Sequence, residues 1–136
     1  MVPTTYTDDL QDCAILLVED DAITAIDTKA VLEMAGAKVI GPAYSLRQGL
    51  HWLGDRRIDC AVLDINLNDG LVFGLADLLA DRSVPIVFLS AHSLTVAPPR
   101  HRDRRLVRKP FGTHSLIGAI LGAISEYRTP SEARTA

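Results

Sequence analysis

Residues 60–70 read CAVLDINLNDG. From Cys60 to Leu63 the run is apolar without alternation, the pattern of a strand buried on both faces, and it stops at Asp64. A strand-end aspartate has two readings. It caps the following turn, as Asp commonly does, or it stands at the rim of a sheet as a reactive group. The elements around it decide which.

A second run of the same kind, CAILLVE (13–19), precedes it, and VPIVFLS (84–90) follows, rich in β-branched and aromatic residues. KVIG (38–41) and RLVRK (105–109) read as shorter strands. Helical patterns fill the intervals. In residues 20–37 the recurrence of Ile23, Ile26, Ala30 and Met34 predicts the inward face of a first helix, with Gly36 where a C′ glycine belongs. Ser45 and Gln48 have capping-box spacing before a helix whose face is Leu46, Leu50 and Leu53, with Trp52 half-buried. Leu75, Leu78 and Leu79 predict the buried side of a third helix. Leu116, Ile117, Ile120, Leu121 and Ile124 do the same for a last helix over 114–127. Strands alternate with helices across short connections, so the fold class is α/β, a parallel sheet covered on both faces. The exception is residues 91–104, where Pro98-Pro99 forbids a long regular helix and predicts a reduced or irregular one.

The chain has 136 residues, 48% apolar and 23% charged, which suits one folded domain rather than a disordered segment. A net charge of −3 offers no global field toward nucleic acid or an anionic membrane. No apolar run approaches the ~18 residues of a membrane span, and the first residues resemble no secretory signal. Cys13 and Cys60 fall in or beside strand runs and read as buried thiols of a reducing, cytoplasmic compartment. Residues 12–127 form the expected domain, and 1–11 and 128–136 are polar, flexible tails.

The polar residues fall at the strand ends. Strand one ends in Glu19-Asp20, strand three in Asp64, strand four in Ser90 and strand five in Lys109. Ligands of an open parallel sheet bind beyond the carboxyl ends of its strands. Three carboxylates gathered there repel unless a cation lies among them, and hard oxygen donors suit Mg²⁺. A carboxylate can attack phosphorus, and a lysine can hold a phosphoryl oxygen as a point charge.

The ordered set ILLVEDD, VLDINL, VFLSAH and VRKPF resembles the receiver domain of two-component response regulators over about residues 12–127. The resemblance implies a doubly wound, flavodoxin-like sheet of five parallel strands in the order 2-1-3-4-5. It makes Asp64 the phospho-acceptor and assigns Mg²⁺ to Asp20, to Glu19 through water, to Asp64 and to the backbone carbonyl of Asn66. It makes Ser90 the switch hydroxyl and Lys109 the lysine that pairs with the phosphoryl group, with Lys109–Pro110 often cis. The implied partner is a histidine kinase or histidine phosphotransfer protein. The implied function is that of a single-domain regulator that switches protein contacts, relays phosphate or drains it, with no enzyme activity beyond its own phosphorylation and dephosphorylation.

Departures from the family pattern are specific. Leu106 stands where most receivers carry an aromatic switch residue, and Asn68 where the acceptor loop commonly has proline. With the short 91–108 segment and VIGPAYS (39–45), these features are similar to a stand-alone subgroup that works with kinases of the HWE and HisKA2 type. Asp21 reads as a solvated start to the first helix. His92 either lines the pocket or is exposed, and the four histidines lack zinc-ligand spacing. The basic run 100–109 reads as a solvated loop or docking surface, not a nucleic-acid patch. Gly118, Ala119, Gly122 and Ala123 suggest close approach by another chain, so a homodimer through the helix 4–strand 5–helix 5 face is an expectation. Two other readings remain open: a phosphate-independent interaction module, and a Mg²⁺-dependent phosphohydrolase with an Asp nucleophile. The latter needs an acid at the position of Asn66, which cannot titrate.

Overall fold

The computed structural model describes residues 9–91 and 97–135, with residues 128–135 by backbone alone. In chain order the elements are β1 (Ala14–Val18), α1 (Ala22–Met34), β2 (Lys38–Ala43), α2 (Leu46–Leu53), β3 (Cys60–Asp64), β4 (Asn66–Leu67), β5 (Gly70–Leu71), α3 (Phe73–Asp81), β6 (Ile86–Ser90), β7 (Arg105–Arg108) and α4 (Thr113–Thr135). Five strands form one parallel sheet in the order β2-β1-β3-β6-β7, which is 2-1-3-4-5 when only its own strands are counted. β4 and β5 make a small antiparallel hairpin directly after Asp64. Between β6 and β7 the described residues hold a single 3-10 turn, Pro99–His101, as the proline pair requires.

Strand period divides the core in two. Leu16, Val18, Ala61, Leu63, Ile86 and Phe88 face α2 and α3. Ile15, Leu17, Cys60, Val62, Val87 and Leu89 face α1 and α4. Both faces of β1, β3 and β6 are thus covered, which is why these strands read as unbroken apolar runs. The Cys60 thiol is pushed up to about 12 by burial, and Cys13 and Cys60 form no disulfide.

The helix faces correct the sequence reading in four places. α1 buries Ala25, Thr28 and Leu32, while Ile23 is 73% and Ile26 59% exposed, and Ala30 and Met34 are exposed with them. Both stripes have helical spacing, so periodicity cannot choose between them. The phase is set by the entry from β1, where Asp21 caps α1 by accepting the Thr24 amide at 3.1 Å. On α2 the buried positions are Gly49 and Leu53, and Leu50 faces out. A Cβ at Gly49 would meet Leu75 at 3.0 Å and Val18 at 3.1 Å, so the helix packs through the residue that lets it come closest. On α3 Leu78 is exposed, and Leu75, Ala76 and Leu79 are buried.

On α4 Leu116, Ile117 and Ile120 are buried as expected, but so is Ala123, and Leu121 is exposed. The Arg105 guanidinium lies over Gly122, where a Cβ would come within 2.5 Å of it, and pairs with Glu126. The stripe of small residues is therefore covered in part by this chain itself. A Cβ added at Gly118 would meet no described atom within 4 Å. Gly118→Ala should raise the urea-unfolding free energy by about 1 kcal/mol, the helix-propensity difference. A decrease would mean that another chain packs there.

Candidate functional site

The register of the sheet brings the strand ends together. Val18 pairs with Leu63, Asp64 with Leu89, and Ser90 with Arg108, so Glu19, Asp64, Ser90 and Lys109 lie at one rim. Backbone bonds hold two of these ends in place. The Glu19 amide donates to the Ala43 carbonyl at 2.8 Å, and the Lys109 amide donates to the Ser90 carbonyl at 2.9 Å.

Carboxylate oxygens of Glu19, Asp20 and Asp64 lie within 4.8 Å of one another. Lys109 Nζ stands 2.5 Å from Glu19 Oε1 and donates to Asp64 Oδ2 at 3.1 Å. Ser90 is buried one residue beyond the partner of Asp64. The Asn66 amide approaches Asp64 Oδ1 at 3.4 Å, which places the β4 chain against the same carboxylate. The Lys109–Pro110 peptide is cis. Asp21 stays at the margin as the α1 cap, and the Thr24 hydroxyl and amide hold its carboxyl below the usual range. His92 lies outside the described residues.

Glu19 is fully buried among these charges. Burial, and then its hydrogen bond with Asp64, push its carboxyl from 4.5 up to about 7, against the lowering influence of Lys109. Burial opposes the charge on Lys109 as well, but Glu19 and Asp64 outweigh it and hold the ammonium above the ordinary lysine value. Two acids sharing one lysine, one of them unwilling to ionise, form a pocket short of positive charge. An all-oxygen donor set of this kind fits Mg²⁺.

A pH dependence follows. Between about 4.5 and 7 the folded chain holds a proton on Glu19 that the unfolded chain has released. Stability therefore falls as pH rises through that window, by up to about 1.4 kcal/mol per pH unit. Urea titrations in a chelator should show this slope in the native chain and lose it in Glu19→Gln. Equal slopes in the two proteins would remove Glu19 as its source.

Beside Lys109 a cleft of about 530 Å³ opens between α1 and the start of α4, lined in part by Thr24, Thr28, Val31 and Phe111. On the opposite face His101 is fully buried, a residue the sequence marked only as lacking zinc spacing. Arg104 Nε can only donate, so His101 Nδ1 accepts it at 3.1 Å and Nε2 donates to Asp77 at 2.6 Å. The ring stacks on Phe73 and meets the Phe88 ring edge-on, each at 6.0 Å. The basic run folds back on acids: Arg100 pairs with Asp77 and Asp81, and Arg105 with Glu126. The density of Arg around His101 in residues 100–105 was the available signal, but the acidic partners lie on α3 and α4.

The family model for the response regulator receiver domain matches residues 15–121. The chain belongs to the receiver-domain family of response regulators. This receiver is 28% identical over 131 residues to the transcriptional regulatory protein PdtaR of Mycobacterium tuberculosis, covering 93% of its own length and 63% of the relative's. It is 29% identical over 114 residues to the phyllosphere-induced regulator PhyR of Methylorubrum extorquens, covering 81% of its own length and 43% of that protein. It therefore spans less than two thirds of either curated relative. Among solved structures it is similar to SdrG from Sphingomonas melonis, at 32% identity and a TM-score of 0.71, with 90% of the receiver and 98% of SdrG covered. A response regulator receiver protein from Sinorhizobium medicae gives 27% and 0.75, over 87% and 98%. No described helix is long and apolar enough to cross a membrane.

Proposed function

We propose that this receiver is a phosphorylation switch whose acceptor is Asp64. The reading is carried by three carboxylates within 4.8 Å, delivered by two strands, with a lysine 3.1 Å from the attacking carboxylate. An Asp64 carboxylate oxygen attacks the phosphorus of a phosphohistidine on a kinase or phosphotransfer protein. The P–N bond breaks, and the imidazole leaves with the electron pair and takes up a proton. Glu19, Asp20, Asp64 and the Asn66 carbonyl would hold Mg²⁺, which supplies charge neutralisation at the phosphoryl oxygens. Lys109 moves its ammonium from Asp64 to the new phosphoryl group, and the Ser90 hydroxyl donates to it. Drawing Ser90 and Ala91 inward shifts a two-state equilibrium of the surface from residue 91 to α4.

The exposed stripe Ile23, Ile26, Ala30 and Met34 lies on α1, the helix that also lines the cleft beside Lys109, and an apolar face there suits a docked helical partner. A kinase of the HWE or HisKA2 type, a cytoplasmic location, a domain spanning 12–127 and a homodimer through the β7–α4 face belong to the same reading. Its test is incubation with acetyl phosphate and Mg²⁺, followed by intact-mass analysis. One hydroxylamine-sensitive phosphoryl group per chain is expected, and no gain of mass with Mg²⁺ present overturns it.

A further inference from the structure

Asp69 sits at the tip of the β4–β5 hairpin and has no part in the pocket described above. Its Oδ1 accepts the Leu46 amide at 2.8 Å and its Oδ2 accepts the Arg47 amide at 3.1 Å. These are the first two amides of α2, and the third, Gln48, goes to Ser45 Oγ at 3.0 Å. A helix start needs such acceptors, and a carboxylate there also suits the helix dipole. The two bonds hold the Asp69 carboxyl below the usual range.

The base of the same hairpin is Asp64. The Val72 amide closes it on the Ile65 carbonyl at 3.1 Å, and the Asn66 amide approaches Asp64 Oδ1 at 3.4 Å. Asn68 leaves the turn without the fixed φ of a proline. The tie to α2 is thus a direct polar constraint on the tip of the hairpin, beside the packing of Leu67 in the core.

We propose that Asp69 is a positioning residue of the acceptor site: by capping α2 across the fold, its carboxylate holds the hairpin that carries Asn66 against Asp64. This deepens the phosphorylation reading and rests on it.

The test measures Mg²⁺ binding by calorimetry and amide hydrogen exchange at Leu46, Arg47 and Val72, on the full chain. Asp69→Ala should weaken Mg²⁺ binding about tenfold, as loss of a group that orients a metal ligand does, and should speed exchange at all three amides. Asp69→Asn keeps one acceptor and should lose less. Ser45→Ala removes the helix's own cap without touching the hairpin, so it should lower the melting temperature and leave Mg²⁺ affinity unchanged. Native affinity in Asp69→Ala overturns the proposal, as does an equal loss in Ser45→Ala, which would make the effect one of helix stability. If the native chain binds no Mg²⁺, the metal reading falls separately. Unchanged exchange at Val72 in Asp69→Ala would then overturn the proposal by itself, and faster exchange would sustain the pinning.

Discussion

Asp64→Ala should lower labelling by acetyl phosphate at least about a thousandfold, because on the proposed reading it removes the oxygen that attacks phosphorus. Glu19 is buried and carries a carboxyl pushed up to about 7, so much of it is protonated near neutral pH. Asp20 stands at the outer side of the cluster. Loss of labelling would not reflect a damaged fold. Asp64 is one of the groups that raise the pKa of Glu19, and Lys109 retains Glu19 as a partner after the substitution. In Mg²⁺-free buffer the variant should therefore melt no lower than the native chain. Labelling at half the native level, measured by intact mass, would move the acceptor elsewhere in the pocket.

Phe88→Ala should destabilise the fold by about 3–5 kcal/mol, the range for a fully buried phenylalanine. That is a large share of the roughly 5–15 kcal/mol typical of a domain. Phe88 is central to the α2–α3 side of the core, with its ring 5.7 Å from that of Phe73 and 6.0 Å from that of His101. Its register partner is the aliphatic Leu106, and the rings that cluster around Phe88 are those of Phe73 and His101. Urea unfolding followed by circular dichroism measures the loss. A value below about 1 kcal/mol would mean that the neighbours collapse into the space, which dense packing does not favour.

The sheet was legible because its strands are covered on both sides. Burial on both faces writes a continuous apolar run into the sequence, and β1, β3 and β6 each carry one. The acids, hydroxyl and lysine were legible for a related reason, since each interrupts or ends such a run at the same end of its strand. Helix faces were less legible. On α1 the larger side chains point to solvent and Ala25 and Thr28 point inward, so hydropathy and periodicity favoured the wrong stripe. On α2 one of the two buried positions is Gly49, where an added Cβ would crowd Leu75 and Val18, and its missing side chain leaves no apolar signal.

The residues that local pattern hid are those whose partners lie far along the chain. Nothing near Asp69 announces that it caps α2, and nothing near His101 announces Asp77 or the rings around it. The sequence alone determined the α/β class, the strand order by resemblance, and the set of polar groups at the strand ends, because burial and strand termination are local in their demands on residue type. Tertiary structure alone decided the phase of each helix, the pairing of Lys109 with two acids, and the partners of Asp69 and His101. These depend on which side chains come within a few ångströms after the chain has folded back, and such distances are set by packing between elements rather than by the pattern within any one of them.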